Sequence, residues 1–182
     1  MFRRYLTCVI DHTTGRLVWA AEGRNKDTLA RFFDALGAER AAALTHVSCD
    51  GAKWIHAAVT EHAPAAVICL DPFHVVMWAM KALDKVRVRT TAAAGTRDRH
   101  AMWAVRKNPA DLTGQQRTSL ADIQATNKTL YRAYLLKEQL REVFRVKGTD
   151  GRRLLAGWLS WAKHSRIPEF TKLAVTIDHY RP

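Results

Sequence analysis

Two carboxylates stand out by their surroundings. Asp50 closes the apolar run Thr45-His46-Val47-Ser48-Cys49, and Asp71 closes Ala65-Ala66-Val67-Ile68-Cys69-Leu70, with an amphipathic stretch between them. Such runs read as strands and the stretch between them as a helix, so the segment is a β-α-β unit that brings both acids to the same edge of a sheet. Open α/β sheets usually carry their chemistry at that edge, which makes the pair a candidate acidic site. Asp71 continues into Pro72-Phe73-His74-Val75-Val76, where proline suits the first position of a helix and Asp71 its cap. Asp50, followed by Gly51, could equally cap a helix after a strand.

The elements around this pair follow from spacing. Residues 4–11 and 16–22 are β-rich and flank His12-Thr13-Thr14-Gly15, a turn composition that predicts an antiparallel hairpin. Asp11 also ends an apolar strand and rivals the other acids, although Asp-His-Thr-Thr-Gly is turn chemistry that accounts for it. Asp27 is expected to cap a helix carrying Leu29, Phe32, Phe33 and Leu36 and stopping at Gly37. Trp54, Ile55, Ala58 and Val59 give the helix between the two acids, ended by Pro64.

From Phe73 onward the pattern becomes almost wholly helical. Val76, Ala79, Met80 and Leu83 form an apolar stripe, with Lys81, Lys85, Arg87 and Arg89 largely on the other side. The basic run continues through Arg97 and Arg99. Further helices are expected around 99–106, from a Thr113/Gln116 capping box to about 126, from Asn127 or Thr129 through 143, after Asp150-Gly151, and from Pro168. Residues 1–76 thus read as an α/β sheet domain and 77–182 as a helical segment.

The chain has 182 residues, and 29 Lys and Arg against 17 Asp and Glu give a net charge of +12, which favours a polyanionic partner, most often nucleic acid. Solvated helix faces are the plain alternative for the basic run. Cys8, Cys49 and Cys69 lie in strand-like runs without zinc spacing and read as reduced, buried thiols. His12, His46, His56, His62 and His100 share no metal-ligand spacing and read as surface or packing residues. Trp158 and Trp161 share a stripe with leucines and read as core. No apolar run reaches the length of a membrane span and no signal peptide opens the chain, so a cytoplasmic protein is expected. A nucleotide-binding sheet is disfavoured by the lack of a glycine-rich phosphate loop.

Several stretches together carry a family resemblance. They are Val9-Ile10-Asp11-His12-Thr13-Thr14-Gly15-Arg16-Leu17-Val18-Trp19, Glu22-Gly23-Arg24, Val47-Ser48-Cys49-Asp50 and Asp71-Pro72-Phe73-His74-Val75-Val76. Leu83-Asp84-Lys85-Val86-Arg87, Lys107-Asn108-Pro109 and Tyr134-Leu135-Leu136-Lys137-Glu138 follow in order. Along essentially the whole chain these resemble the DDE transposases of bacterial insertion sequences of the ISL3 type.

The resemblance implies an α/β fold, a ribonuclease H-like sheet here without its first strand, followed by the family's helical insertion region. It implies a metal-dependent core in which two aspartates and a glutamate hold Mg²⁺ for cutting and joining DNA strands. Asp50 matches the second acid and is the expected catalytic and metal-binding residue, with Asp71 and His74 in supporting or structural roles. Lys81, Lys85, Arg87 and Arg89 become candidate DNA contacts. The family's first aspartate lies on a strand upstream of the hairpin and its glutamate beyond the helical insertion, so a fragment is implied that keeps one acid of three, is inactive alone and binds Mg²⁺ poorly if at all. The alternative is a noncatalytic basic protein that binds DNA or associates with intact transposase or itself. Either would sit in the bacterial cytoplasm at the nucleoid.

Overall fold

The computed structural model describes residues 4–93 and 99–180. Arg97 lies outside the described residues, and only the backbone of Arg99 is described. The chain divides into two compact units, the first reaching Asp71 and the second beginning at Pro72. Among the described residues no helix is long and apolar enough to cross a membrane.

The first unit is mixed α/β. Strands β1 (Leu6–Ile10) and β2 (Leu17–Glu22) form the expected antiparallel hairpin, with a register irregularity between Val9 and Ile10. Asp11 builds its turn: Oδ1 accepts the Thr13 N–H at 2.9 Å and Oδ2 the Thr14 hydroxyl at 2.7 Å. These bonds, that from Thr14 foremost, hold its carboxyl below the usual range. With both oxygens engaged by neighbours, Asp11 is accounted for by the turn.

Helix α1 (Lys26–Leu36) is capped by Asn25 rather than Asp27, because Asn25 Oδ1 accepts the Thr28 N–H at 2.8 Å while Asp27 already lies in the first turn. There the Asp27 charge faces the positive end of the helix dipole. After the short α2 (Ala38–Ala42), β3 (His46–Cys49), α3 (Lys53–His62) and β4 (Val67–Leu70) form the β-α-β unit, with β3 and β4 parallel. The four strands thus make two separate two-stranded sheets. Val9 of the hairpin and Val47 and Ile68 of the parallel pair pack against one cluster formed by Leu29, Phe33, Ala58 and Val59. Leu6, Ile10, Leu17 and Val18 of the hairpin stay exposed. Cys8 is exposed as well, against the expectation of a buried thiol, because it shares the outward face of β1 with Leu6 and Ile10.

The second unit is helical: α4 (Pro72–Ala93), α5 (Arg99–Arg106), α6 (Gly114–Thr126), α7 (Lys128–Val143), α8 (Gly148–Lys163) and α9 (Pro168–His179). The Thr113/Gln116 capping box forms, and Asn127 caps α7 through the Leu130 N–H at 3.0 Å. Helix α8 starts at Gly148, earlier than expected, and takes Asp150 and Gly151 into its first turn. Only glycine fits at 151, where a Cβ would stand 2.4 Å from the Val146 carbonyl oxygen. Helix α4 packs on α7 and α9, α5 on α6, and α8 on α7 and α9. Trp158 is fully buried and its indole N–H donates to the Leu136 carbonyl at 2.7 Å, a core role, whereas Trp161 is half-buried.

Candidate functional site

The parallel ladder places the two acids. Cys49 pairs with Leu70, and the Asp71 N–H donates to the Cys49 carbonyl at 2.8 Å, so Asp50 and Asp71 are the next residues of neighbouring strands. Adjacent strands lie about 4.8 Å apart, so the two acidic residues are neighbours in backbone register at the strand ends. Both residues are half-buried. Asp50 Oδ1 accepts the Ala52 N–H at 2.9 Å. This local turn replaces a helix cap, since the cap position of α3 belongs to Ala52.

Cys49 senses the pair. Its thiol is pushed up to about 11, first by burial and then by the charges of Asp50, Cys69 and Asp71. Both carboxylates therefore project negative potential onto one half-buried sulfur.

Asp71 directly precedes Pro72, the first residue of α4, in the position where a carboxylate suits a helix start. His74 is half-buried in the first turn of α4, its ring 5.6 Å from Phe73 in edge-on contact. Among the described residues no three His, Cys, Asp or Glu side chains come together as a metal-binding group.

The basic residues of α4 separate into two kinds. Lys81 and Lys85 are exposed. Arg87 is paired with Asp84 at 2.9 Å, and Arg106 reaches the same carboxylate at 3.4 Å. Arg89 grips Glu169 of α9 with two bonds, Nε to Oε1 at 2.9 Å and a terminal nitrogen to Oε2 at 3.0 Å. The guanidinium beside it holds the Glu169 carboxyl below the usual carboxylate range. Two of the four candidate DNA contacts thus spend their charge within the helical unit.

Sequence reasoning passed over Lys137. It is wholly buried, donates to the carbonyls of Val105 at 2.8 Å and Lys107 at 3.5 Å, pairs with Glu138, and lies over the Tyr134 ring at 4.9 Å. Burial lowers its ammonium below the ordinary lysine range, and burial foremost raises the Tyr134 phenol to about 12. The signal was present, because Lys137 stands in the buried stripe of Leu130, Ala133, Tyr134 and Leu140. Through it Tyr134-Leu135-Leu136-Lys137-Glu138 is tied to Lys107-Asn108-Pro109.

The described residues thus hold an α/β unit with two acids at its strand ends, joined in sequence to a helical unit with exposed lysines on α4. The family model described as a transposase, of the DDE class and ISL3 type, matches residues 2–182, and the chain belongs to this family. It is 50% identical over 205 aligned residues to the transposase for insertion sequence element IS1557 of Mycobacterium tuberculosis, covering 98% of this chain and 46% of that protein. It is 26% identical over 185 residues to the transposase for insertion sequence element IS1001 of Bordetella parapertussis, covering 97% of this chain and 46% of that protein. The chain therefore spans about half the length of these curated relatives. No solved structure matches it.

Proposed function

We propose that the chain is part of the catalytic core of an insertion-sequence transposase, built as a ribonuclease H-like sheet without its first strand, with Asp50 as the metal-binding acid. The observation that carries this reading is the ladder that sets Asp50 beside Asp71 at the ends of parallel strands. The two separate sheets, facing one helical cluster, support a sheet short of a strand.

Two neighbouring carboxylates fit Mg²⁺, a hard cation that takes oxygen ligands, commonly one or two carboxylates plus waters and phosphate oxygens. Asp50 would hold it, while Asp71 sets the start of α4 and adds charge to the same edge. Bound there, the cation supplies Lewis-acid activation and charge neutralisation for in-line phosphoryl transfer on DNA. The Ala52 N–H fixes one oxygen of Asp50 and so orients the other. Lys81 and Lys85 contact phosphates without regard to sequence, whereas Arg87 and Arg89 serve mainly to brace the helices. On this reading the remaining acids come from polypeptide outside these 182 residues, and the chain by itself does not cut DNA.

A second reading, a noncatalytic protein that binds DNA or intact transposase, is favoured by the exposed apolar residues of the hairpin, Leu6, Ile10, Leu17 and Val18. Excision measured with a complete transposase carrying this segment separates the readings. Asp50→Asn abolishes excision if Asp50 binds the metal, and Asp71→Asn reduces it. Undiminished excision by Asp50→Asn removes Asp50 from the site.

A further inference from the structure

The helical unit carries a groove of about 560 Å³ beside α4 and α5 that the acidic edge does not use. It is open to solvent, and its volume is that of a cleft that takes one drug-sized ligand, the size class of a nucleotide. Met77 and Met80 from α4 contribute its apolar surface. Trp103 of α5 lines it with 47% of its surface exposed, although Ala101, Ala104 and Val105 of the same helix are buried. A tryptophan left half in solvent beside two polarizable thioethers offers a flat apolar face with nothing described upon it.

The charges along the groove are one-sided. Lys81, Lys85, Arg106 and Lys107 line it against a single carboxylate, Asp84, which Arg87 and Arg106 already neutralise. Lys81 and Lys107 are thus left to face an anion as point charges, suited to phosphate oxygens and indifferent to sequence, while Lys85 also acts on the Glu169 carboxylate. Lys107 sits on backbone anchored from below, since its carbonyl accepts from the buried Lys137. An apolar ring face flanked by phosphate-seeking cations is the combination that binds a single strand. A paired base within a duplex keeps both faces stacked and cannot offer one to Trp103.

We propose that this groove holds an unpaired nucleotide of a DNA strand, with its base against Trp103 and its phosphates on Lys81, Lys85 and Lys107. The proposal rests on the reading that the chain engages DNA and adds which form of DNA it engages here.

Fluorescence anisotropy at low salt tests it, with the 182-residue chain, a labelled blunt duplex, and the same duplex bearing an unpaired tail at one end. The chain is expected to bind the tailed duplex more tightly by roughly 5- to 150-fold, the range of one base–aromatic stacking contact. Trp103→Ala removes that preference and leaves blunt-duplex affinity unchanged, while Trp103→Phe retains most of it. Lys81→Ala, at an exposed position that does not challenge folding, lowers the salt dependence of tailed binding by about one counterion. Equal affinity for the two DNAs, or a preference that survives Trp103→Ala, overturns the proposal and leaves DNA binding standing. Failure to bind either DNA overturns the broader reading as well.

Discussion

Lys137→Met keeps the volume of the side chain and removes its charge. The lysine is wholly inaccessible, and its ammonium donates to the Val105 carbonyl at 2.8 Å beside the Tyr134 ring at 4.9 Å. A hydrogen bond to a charged group contributes about 1.5–3 kcal/mol, and a desolvated cation–π contact up to about 2 kcal/mol. Against these stands the cost of burying the ammonium, seen in its lowered pKa. Glu138 loses its nearer partner and keeps only Arg141 at 3.4 Å. Removing one member of a buried ion pair costs about 3–5 kcal/mol. Because Glu138 retains Arg141, the lower end applies, and a loss of about 3 kcal/mol is expected. Urea unfolding followed by helical circular dichroism reads it out, and the double variant Lys137→Met with Glu138→Gln should recover part of the loss. A single variant within about 0.5 kcal/mol of the parent would refute the view that Lys137 locks α7 to the end of α5.

Three further outcomes follow from the ion pair and the acidic edge. The folded-state pKa of Glu169 is depressed by Arg89, so this pair stabilises the protein above the unfolded value near 4.5 and loses its effect as pH falls through the depressed one; Arg89→Met should cost about 1 kcal/mol at neutral pH and little in acid, as judged by thermal melts across that window. Cys8 should be alkylated by iodoacetamide well before Cys49 at about pH 9, since Cys8 is exposed and the Cys49 thiol is raised to about 11. Asp50→Asn should speed Cys49 alkylation by less than about tenfold, because burial, the larger cause, remains; mass spectrometry of the alkylated peptides measures both rates.

What could be read from the sequence was local. The runs ending at Asp50 and Asp71, the Thr13-Thr14-Gly15 turn, the Thr113/Gln116 box and the Pro168 start depend on residues within a few positions of one another, and each formed as expected. The cap of α1 went to Asn25 because two acceptors compete within one turn and backbone geometry decides between them. Cys8 read as buried because apolar strands are buried on average, yet which face of a hairpin is covered depends on what packs against it. The uses of Arg87 and Arg89 were hidden for the same reason. A basic stripe reveals its spacing, but Glu169 lies 80 residues from Arg89 in sequence. Lys137 and Trp103 were missed in opposite ways, one a charge on a buried stripe and the other an aromatic left outside.

Asp50, with Asp71 beside it in register, is proposed to hold a divalent cation. Manganese(II) titration of the isotope-labelled chain, followed by paramagnetic broadening of amide signals, tests it most directly because broadening reports even weak binding. Signals at Cys49, Asp50 and Asp71 are expected to broaden first, and Asp50→Asn to abolish this early loss. Broadening that begins elsewhere, or that persists unchanged at those positions in Asp50→Asn, would contradict it.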